Sequence, residues 1–383
     1  MKQPITQFKT LRRKRITVNG IVQGVGFRPF VYTLAKKLNL TGMVYNSPAG
    51  VIIEIEGPVS SIREFKSRLL KDAPPLSDIF EIEDEIISVK NSGQFVIELS
   101  KTDRKIETLI SPDVSICDDC LRELFDKSDR RYHYPFINCT NCGPRYTIIR
   151  TIPYDRPFTS MSNFKMCPNC QAEYDDPQNR RFHAQPNACP VCGPKVWYEI
   201  NGSKQKDSAK EDAFTSIVKD ILNGKIAAIK GLGGFHLAVD ACNYEAVARL
   251  RQRKNREEKP LAIMVEDIKS AEKIAKVRPV EQKLLTGEQR PIVLLEKLND
   301  INIAGNIAPG NKRLGVMLPY TPLHYVLFEH LKMQNPACEP AALVMTSANI
   351  SEEGICAATS VFKIIRVSCS CCRRRIEKYP LSA

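Results

Sequence analysis

The sequence predicts a multidomain α+β protein, and three observations carry that expectation. Its 383 residues exceed the usual roughly 100 to 200 per domain. Residues 11–99 switch between strand and helix periodicity in the order βαββαβ, and residues after a polar linker at 201–212 turn α/β in pattern. Between the two, eight cysteines fall in closely spaced pairs. The predicted domains are 11–99, 112–197 and 208–360, followed by a basic cysteine-containing tail, 361–383, with no convincing element.

In the first domain "RITVNGIV" alternates as a strand, and Pro29 opens a helix whose Phe30, Leu34, Ala35 and Leu38 share a face. "GMVYNSPAGVIIEIEG" reads as two strands around a turn at 47–50. "SSIREFKSRLL" spaces Ile62, Phe65 and Leu69 helically, and "FEIEDEIISV" and "FVIEL" complete the sheet. Two helices on an antiparallel sheet make a ferredoxin-like layer. Between the first strand and helix, Gly24 and Gly26 allow backbone turns closed to other residues, so that successive N–H groups converge on an anion. The helix N-terminus and the forked guanidinium of Arg28 favour a tetrahedral oxyanion there. The stretch is not a dinucleotide fingerprint, because Pro29 occupies the third glycine place, and the chain has no Walker loop. A plain tight turn is the alternative.

The cysteines are Cys117, Cys120, Cys139, Cys142, Cys167, Cys170, Cys189 and Cys192, a two-fold repeat of period 50 in which "RRYHYPFINCTNCGP" parallels "RRFHAQPNACPVCGP". A C-x2-C pair turns both sulfurs toward one ion, and two pairs close a tetrahedral S4 site with no open position. The expectation is two structural Zn²⁺ ions rather than disulfides. Pairing within each repeat and interleaved pairing both remain open. His133 and His183, at equivalent repeat positions, either replace a sulfur or pack and hydrogen-bond beside the ligands.

The third domain opens with a helix, a buried strand at 226–230 and a glycine turn at 231–234. "GLGGFH" also fails the dinucleotide test. Arg251, Arg253, Lys254, Arg256 and Lys259 crowd the approach to an apolar strand: a solvated helix face, or cations aimed at triphosphate. "LVMTSANIS" ends a strand in hydroxyl and amide residues suited to ribose or phosphate. Lys230 and His236 stand near the glycine turn as further candidates.

The formal charge of +13 is concentrated at the ends: residues 1–15 carry six basic groups and no acidic one, and residues 361–383 six basic and one acidic. The remaining body is near neutral, which argues against a general nucleic-acid groove. No run of 18 apolar residues and no signal-like start occur, so no membrane span and a cytoplasmic location are expected.

"VQGVGFRPF" followed by "GMVYNSPAGVIIEIEG" resembles the acylphosphatase signature pair. The resemblance implies that the loop Val22, Gln23, Gly24, Val25, Gly26 and Phe27 cradles phosphate, that Arg28 holds it, and that Asn46 orients the attacking water. "KGLGGFHLAVDA", "KNREEKPLAIMV", "RLGVMLPYTPLHYVLF" and "LVMTSANIS" resemble the YrdC-like domain, which implies ATP, with Mg²⁺, contacted by Lys254, Arg256, Lys259, Ser347 and Asn349. The three parts in this order, over about residues 11–355, resemble the N-terminal portion of the HypF family, the carbamoyltransferases of nickel–iron hydrogenase maturation. That resemblance implies hydrolysis of carbamoyl phosphate to carbamate, formation of carbamoyl-AMP from ATP, and transfer to the C-terminal cysteine of HypE. The transfer domain, with its H-x-x-x-H pair, has no counterpart in this sequence, so the chain reads as truncated before it. The competing expectations are an RNA-binding module and a non-catalytic zinc scaffold.

Overall fold

Alternating burial along the first strand sets the architecture of the N-terminal part: β1 (Leu11–Ile21) sends Ile16 and Val18 into the core. The structure, a computed structural model, describes residues 11–100, 109–200, 203–204, 212–256, 258–336, 339–348 and 366–367. It divides into two compact units, residues 1–113 with 138–187 and residues 114–137 with 188–383.

In the first unit, β1 is followed by α1 (Phe27–Lys37), β2 (Thr41–Ser47), β3 (Gly50–Pro58), α2 (Val59–Lys71), β4 (Asp78–Ile87) and β5 (Phe95–Ile97). The sheet order is β4-β1-β3-β2-β5, antiparallel except for the β2–β5 pair. Helix α1 buries Phe27, Val31, Leu34 and Ala35, and α2 buries Ile62, Phe65 and Leu69, in one core with Ile16, Val18, Val44 and Ile53. Each of these side chains larger than alanine contributes about 1.5–3 kcal/mol by leaving water. The helix starts at Phe27, two residues before Pro29, whose missing N–H costs nothing in a first turn.

The basic N-terminus supplies buried charge to the sheet. Four of its six cations, Arg12 to Arg15, lie on β1. Arg13 is fully buried and pairs with Glu54 at 2.5 Å and Glu56 at 3.4 Å, delivered by the β1–β3 register; Arg15 pairs with Glu54 and Glu85, and Lys14 with Asp84. A buried cation survives only with such partners.

Each cysteine repeat contains a short helix, α3 (Asp118–Phe125) and α4 (Pro168–Asp175), entered from the extended backbone of Cys117 and Cys167. The second unit continues with β6 (Glu199–Ile200), β7 (Ser203–Lys204), α5 (Ala213–Leu222), β8 (Ala227–Lys230), β9 (Phe235–Asp240), α6 (Tyr244–Arg253), β10 (Ala262–Val265), α7 (Ile268–Glu272), β11 (Ala275–Lys276), α8 (Pro279–Thr286), β12 (Val293–Lys297), β13 (Arg313–Met317), α9 (Pro322–Gln334), β14 (Ala342–Ser347) and β15 (Arg366–Val367). Asp212, Asn243 and Thr321 cap α5, α6 and α9 by accepting from first-turn N–H groups. An eight-stranded mixed sheet runs β11-β12-β13-β10-β14-β9-β8-β15. Its last member corrects the expectation of a tail without elements, because Arg366 and Val367 pair in parallel with Ala228 and Ile229 and give that edge strand backbone partners. The rest of the tail lies outside the described residues. Among the described residues no helix is long and apolar enough to cross a membrane.

Candidate functional site

The loop joining β1 to α1 turns twice through the left-handed region, at Gly24 (φ 78°) and Gly26 (φ 76°). A side chain is strained there, and a Cβ on Gly24 would also come within 3.1 Å of the Arg145 Cδ. The turns deliver Arg28 in the first turn of α1, where helix N–H groups lack intrahelical acceptors. Arg28 is buried; its Nη2 donates to Asp155 Oδ1 at 2.7 Å and to the Tyr154 carbonyl at 3.3 Å. Asn46, fully buried on β2, donates from Nδ2 to the same carbonyl at 3.2 Å. Its Oδ1 is shielded from solvent and has no hydrogen-bond partner. Arg28 and Asn46, 18 positions apart in sequence, thus converge on one atom.

Gln23 has a different part from its loop neighbours. Its Nε2 donates to the Ser47 and Gly50 carbonyls at 2.8 and 3.0 Å, while its Oε1 accepts from the Tyr154 N–H, so the side chain clamps the loop to the β2–β3 turn. Arg145 ties down the other side, donating to the carbonyls of Gly24, Cys142 and Thr140. A cavity of about 20 Å³ lies here, bordered by Gly24, Gly26, Arg28, Thr140, His183 and Gln185. That is room for about one water. Burial first, and then the Arg28 charge, push the His183 imidazole down to about 4, so it is neutral near pH 7. Burial pushes the Tyr154 hydroxyl up to about 12. Two guanidinium groups therefore border the site: Arg145, held by backbone carbonyls, and Arg28, answered by the Asp155 carboxylate, which also accepts from the Ser100 hydroxyl.

Sequence reasoning missed Thr140, Arg145, Tyr154, Asp155 and Gln185, and gave His183 only a zinc-linked or packing role. The available signal was "PRYTIIRTIPYDRPF" (144–158), too rich in charge and aromatics for a bare connector.

The eight cysteines form two groups within the repeats, Cys117, Cys120, Cys139 and Cys142, and Cys167, Cys170, Cys189 and Cys192, with the four sulfurs of each within 4.8 Å of one another. The Cys139–Cys142 and Cys189–Cys192 sulfurs are both 3.8 Å apart. A regular tetrahedron with Zn–S bonds of about 2.3 Å has edges of about 3.8 Å, so the donor sets fit Zn²⁺. Two four-cysteine clusters of this kind suit two structural zinc ions, with neither histidine in a sulfur group.

In the second unit Lys254 follows α6, is buried, and donates from Nζ to the Ser347 carbonyl at 2.7 Å. Burial, then the Arg256 charge, lower its pKa. Arg256 turns back on the Lys259 and Pro260 carbonyls. Arg251, part of the same run, is buried and holds the Arg256 and Ile307 carbonyls at 2.9 Å, so this cation organises the loop from inside. Register places His236 of β9 opposite Ser347 of β14, and Lys230 Nζ lies over the Phe235 ring at 4.5 Å. The structure thus gathers Lys254, Arg256, Lys259 and Ser347; Asn349 lies outside the described residues.

Three families match in chain order. Residues 14–97 match the family described as acylphosphatase, residues 116–149 and 166–199 the HypF finger, and residues 219–365 the family described as telomere recombination, which groups Sua5, YciO and YrdC. The chain is 52% identical over 349 residues to the carbamoyltransferase HypF2 of Cupriavidus necator, covering 88% of this chain and 43% of that relative. It is 49% identical over 346 residues to the carbamoyltransferase HypF of Synechocystis, covering 90% and 44%. Among solved structures, a full-length HypF in a phosphate- and nucleotide-bound form superposes with a TM-score of 0.87 at 45% identity, covering 95% of this chain and 47% of that one. HypF of T. kodakarensis gives 0.82 at 44%, covering 92% and 45%. The chain spans less than half the length of these relatives. Its acylphosphatase-like unit, paired cysteine clusters and Sua5/YrdC-like α/β unit, in that order, make it a member of the HypF family that matches the family's N-terminal portion.

Proposed function

We propose that this chain carries the first two chemical steps of a HypF carbamoyltransferase: hydrolysis of carbamoyl phosphate in the acylphosphatase-like unit, and carbamoyl adenylation in the YrdC-like unit. The convergence of Arg28 and Asn46 on the Tyr154 carbonyl supports the first step most directly, because it puts the anion-binding cation and an unpaired buried acceptor side by side. In this reading phosphate takes the place of Asp155 against Arg28, and glycine-loop N–H groups hold its other oxygens. Asn46 Oδ1 accepts from a water aligned with phosphorus. The water oxygen bonds to phosphorus, the P–O bond to the acyl oxygen breaks, carbamate leaves, and the water proton passes to phosphate. An acyl phosphate is already activated, so positioning supplies most of the acceleration.

In the second step a carbamate oxygen attacks the α-phosphorus of Mg²⁺-bound ATP and pyrophosphate leaves. Lys254, Arg256 and Lys259 neutralise the triphosphate; Ser347 and Asn349 hold the nucleotide. The likeness to a HypF described as phosphate- and nucleotide-bound is in keeping with both sites. The C-terminal cysteine thiol of HypE then attacks the carbamoyl carbon, the bond to AMP breaks and AMP leaves, a transfer we assign to the longer family members. The thiolate-rich zinc clusters suit a reducing cytoplasm. The test of the first step is Arg28→Ala, expected to abolish carbamoyl phosphate hydrolysis while both zinc ions are retained; undiminished turnover would refute the assignment.

A further inference from the structure

The two cysteine repeats put His133 and His183 in the same local setting. Both adopt φ 53°, and both donate their backbone N–H to the knuckle helix, His133 to Leu124 O at 2.8 Å and His183 to Tyr174 O at 3.0 Å. Their side chains have different surroundings. His183 borders the loop cavity, whereas His133 meets Glu329 and His330 of α9, within the second unit.

One donor atom from each of His133, Glu329 and His330 lies within 4.8 Å of the other two. His133 Nε2 and Glu329 Oε2 are 2.7 Å apart, both shielded from solvent, yet neither has a hydrogen-bond partner. The carboxylate oxygen therefore sits beside the axis of the ring nitrogen, not on it. At 2.7 Å they are closer than the about 3.3 Å that separates two ligands of a tetrahedral Zn²⁺ with bonds of about 2.0–2.1 Å, so taking up an ion moves them apart by about 0.6 Å. Buried polar atoms left unmatched are rare and call for an occupant. His330 Nδ1 lies 3.3 Å from the Thr215 hydroxyl, which fixes the ring and leaves Nε2 for coordination. Asp212 Oδ2, 3.9 Å from His330 Nε2, adds a second carboxylate. Two carboxylates and two imidazoles balance a divalent cation.

We propose that His133, Glu329 and His330 form a third metal site, separate from the two sulfur clusters, that takes a Zn²⁺-class divalent ion. Two imidazoles and one carboxylate suit Zn²⁺, Co²⁺ or Ni²⁺ and disfavour Ca²⁺ and Mg²⁺, which seek oxygen. Three protein ligands leave a fourth position for water, so the coordination sphere is not closed as it is by four thiolates. The ion exchanges and is stripped by chelators more readily than ions enclosed by four thiolates.

The test is elemental analysis of the full chain after equilibration with micromolar Zn²⁺, with His133→Asn, Glu329→Gln and His330→Ala in parallel. Asparagine at 133 tolerates the left-handed backbone. The expected result is three zinc per chain in the parent and two in each variant, the retained pair showing that the cysteine repeats are folded. Replacing the chelator-labile ion with Co²⁺ should give a spectrum without thiolate charge-transfer bands. Two zinc in the saturated parent, three in any variant, or thiolate bands on the labile Co²⁺ would overturn the site.

Discussion

Removing the carboxylate of Asp155 tests the proposed anion site, because that carboxylate stands against Arg28 where the proposal puts phosphate. The Arg28–Asp155 contact is 2.7 Å, with side chains only 8% and 14% exposed, so water screens it little. A charge-assisted hydrogen bond of this kind contributes about 1.5–3 kcal/mol. Phosphate bound at Arg28 as proposed would displace it, so Asp155→Ala removes a competitor and tightens phosphate binding by the same order. At about 1.4 kcal/mol per decade this is roughly 10- to 100-fold in Kd. The variant also leaves a buried cation unpaired, which destabilises the unliganded protein, and phosphate restores stability by mass action. Calorimetric titration with inorganic phosphate reads the affinity, and thermal unfolding with and without phosphate reads the compensation. An unchanged or weaker Kd would refute the idea that Asp155 stands where phosphate binds.

Further outcomes follow from the same geometry. Gly26→Ala places a side chain at φ 76°, a strain of about 1–2 kcal/mol, and should sharply reduce hydrolysis with zinc content unchanged, read by phosphate release and elemental analysis. Cys120→Ser, at a fully buried ligand, should lower the thiolate-bound zinc from two ions to one and the unfolding temperature with it, since metal binding is part of the folding free energy. Lys254→Ala should weaken ATP-dependent pyrophosphate exchange while leaving phosphate release intact. His324 is fully buried, and burial pushes its imidazole down to about 3. The unfolded chain takes up that proton below about pH 6.5 and the native protein does not, so stability is full above that pH and is lost toward about 3, at about 1.4 kcal/mol per pH unit. Urea unfolding at about pH 7 and pH 5 should differ by about 2 kcal/mol less in His324→Gln than in the parent.

Local rules of sequence carried much of this architecture. Ile62, Phe65 and Leu69 at helical spacing had one packing solution, and the C-x2-C pairs identified all eight ligands because ligand spacing is a short-range property, whereas which pairs share an ion came only from the structure. Gly24, Gly26 and Arg28 were legible because a left-handed turn before a helix leaves a residue-type signature. Long-range partners left none. Asp155 stands 127 positions from Arg28, and no periodicity links them. Nothing in the sequence marked Arg13 as buried; only the β1–β3 register reveals that Glu54 and Glu56 await it. Arg251 read as one more cation in a basic run, yet it is a buried tie for the backbone of that run. His133 and His183 were indistinguishable within their repeats, and their different surroundings come from α9 in one case and the glycine loop in the other.

Exchange of labelled pyrophosphate into ATP, dependent on carbamoyl phosphate, tests the central claim most directly, because it requires both sites to work in sequence. The parent chain should support it, and Arg28→Ala should abolish it unless carbamate is supplied. Exchange that persists in Arg28→Ala with carbamoyl phosphate alone, or that fails in the parent with carbamate and ATP present, would contradict the account.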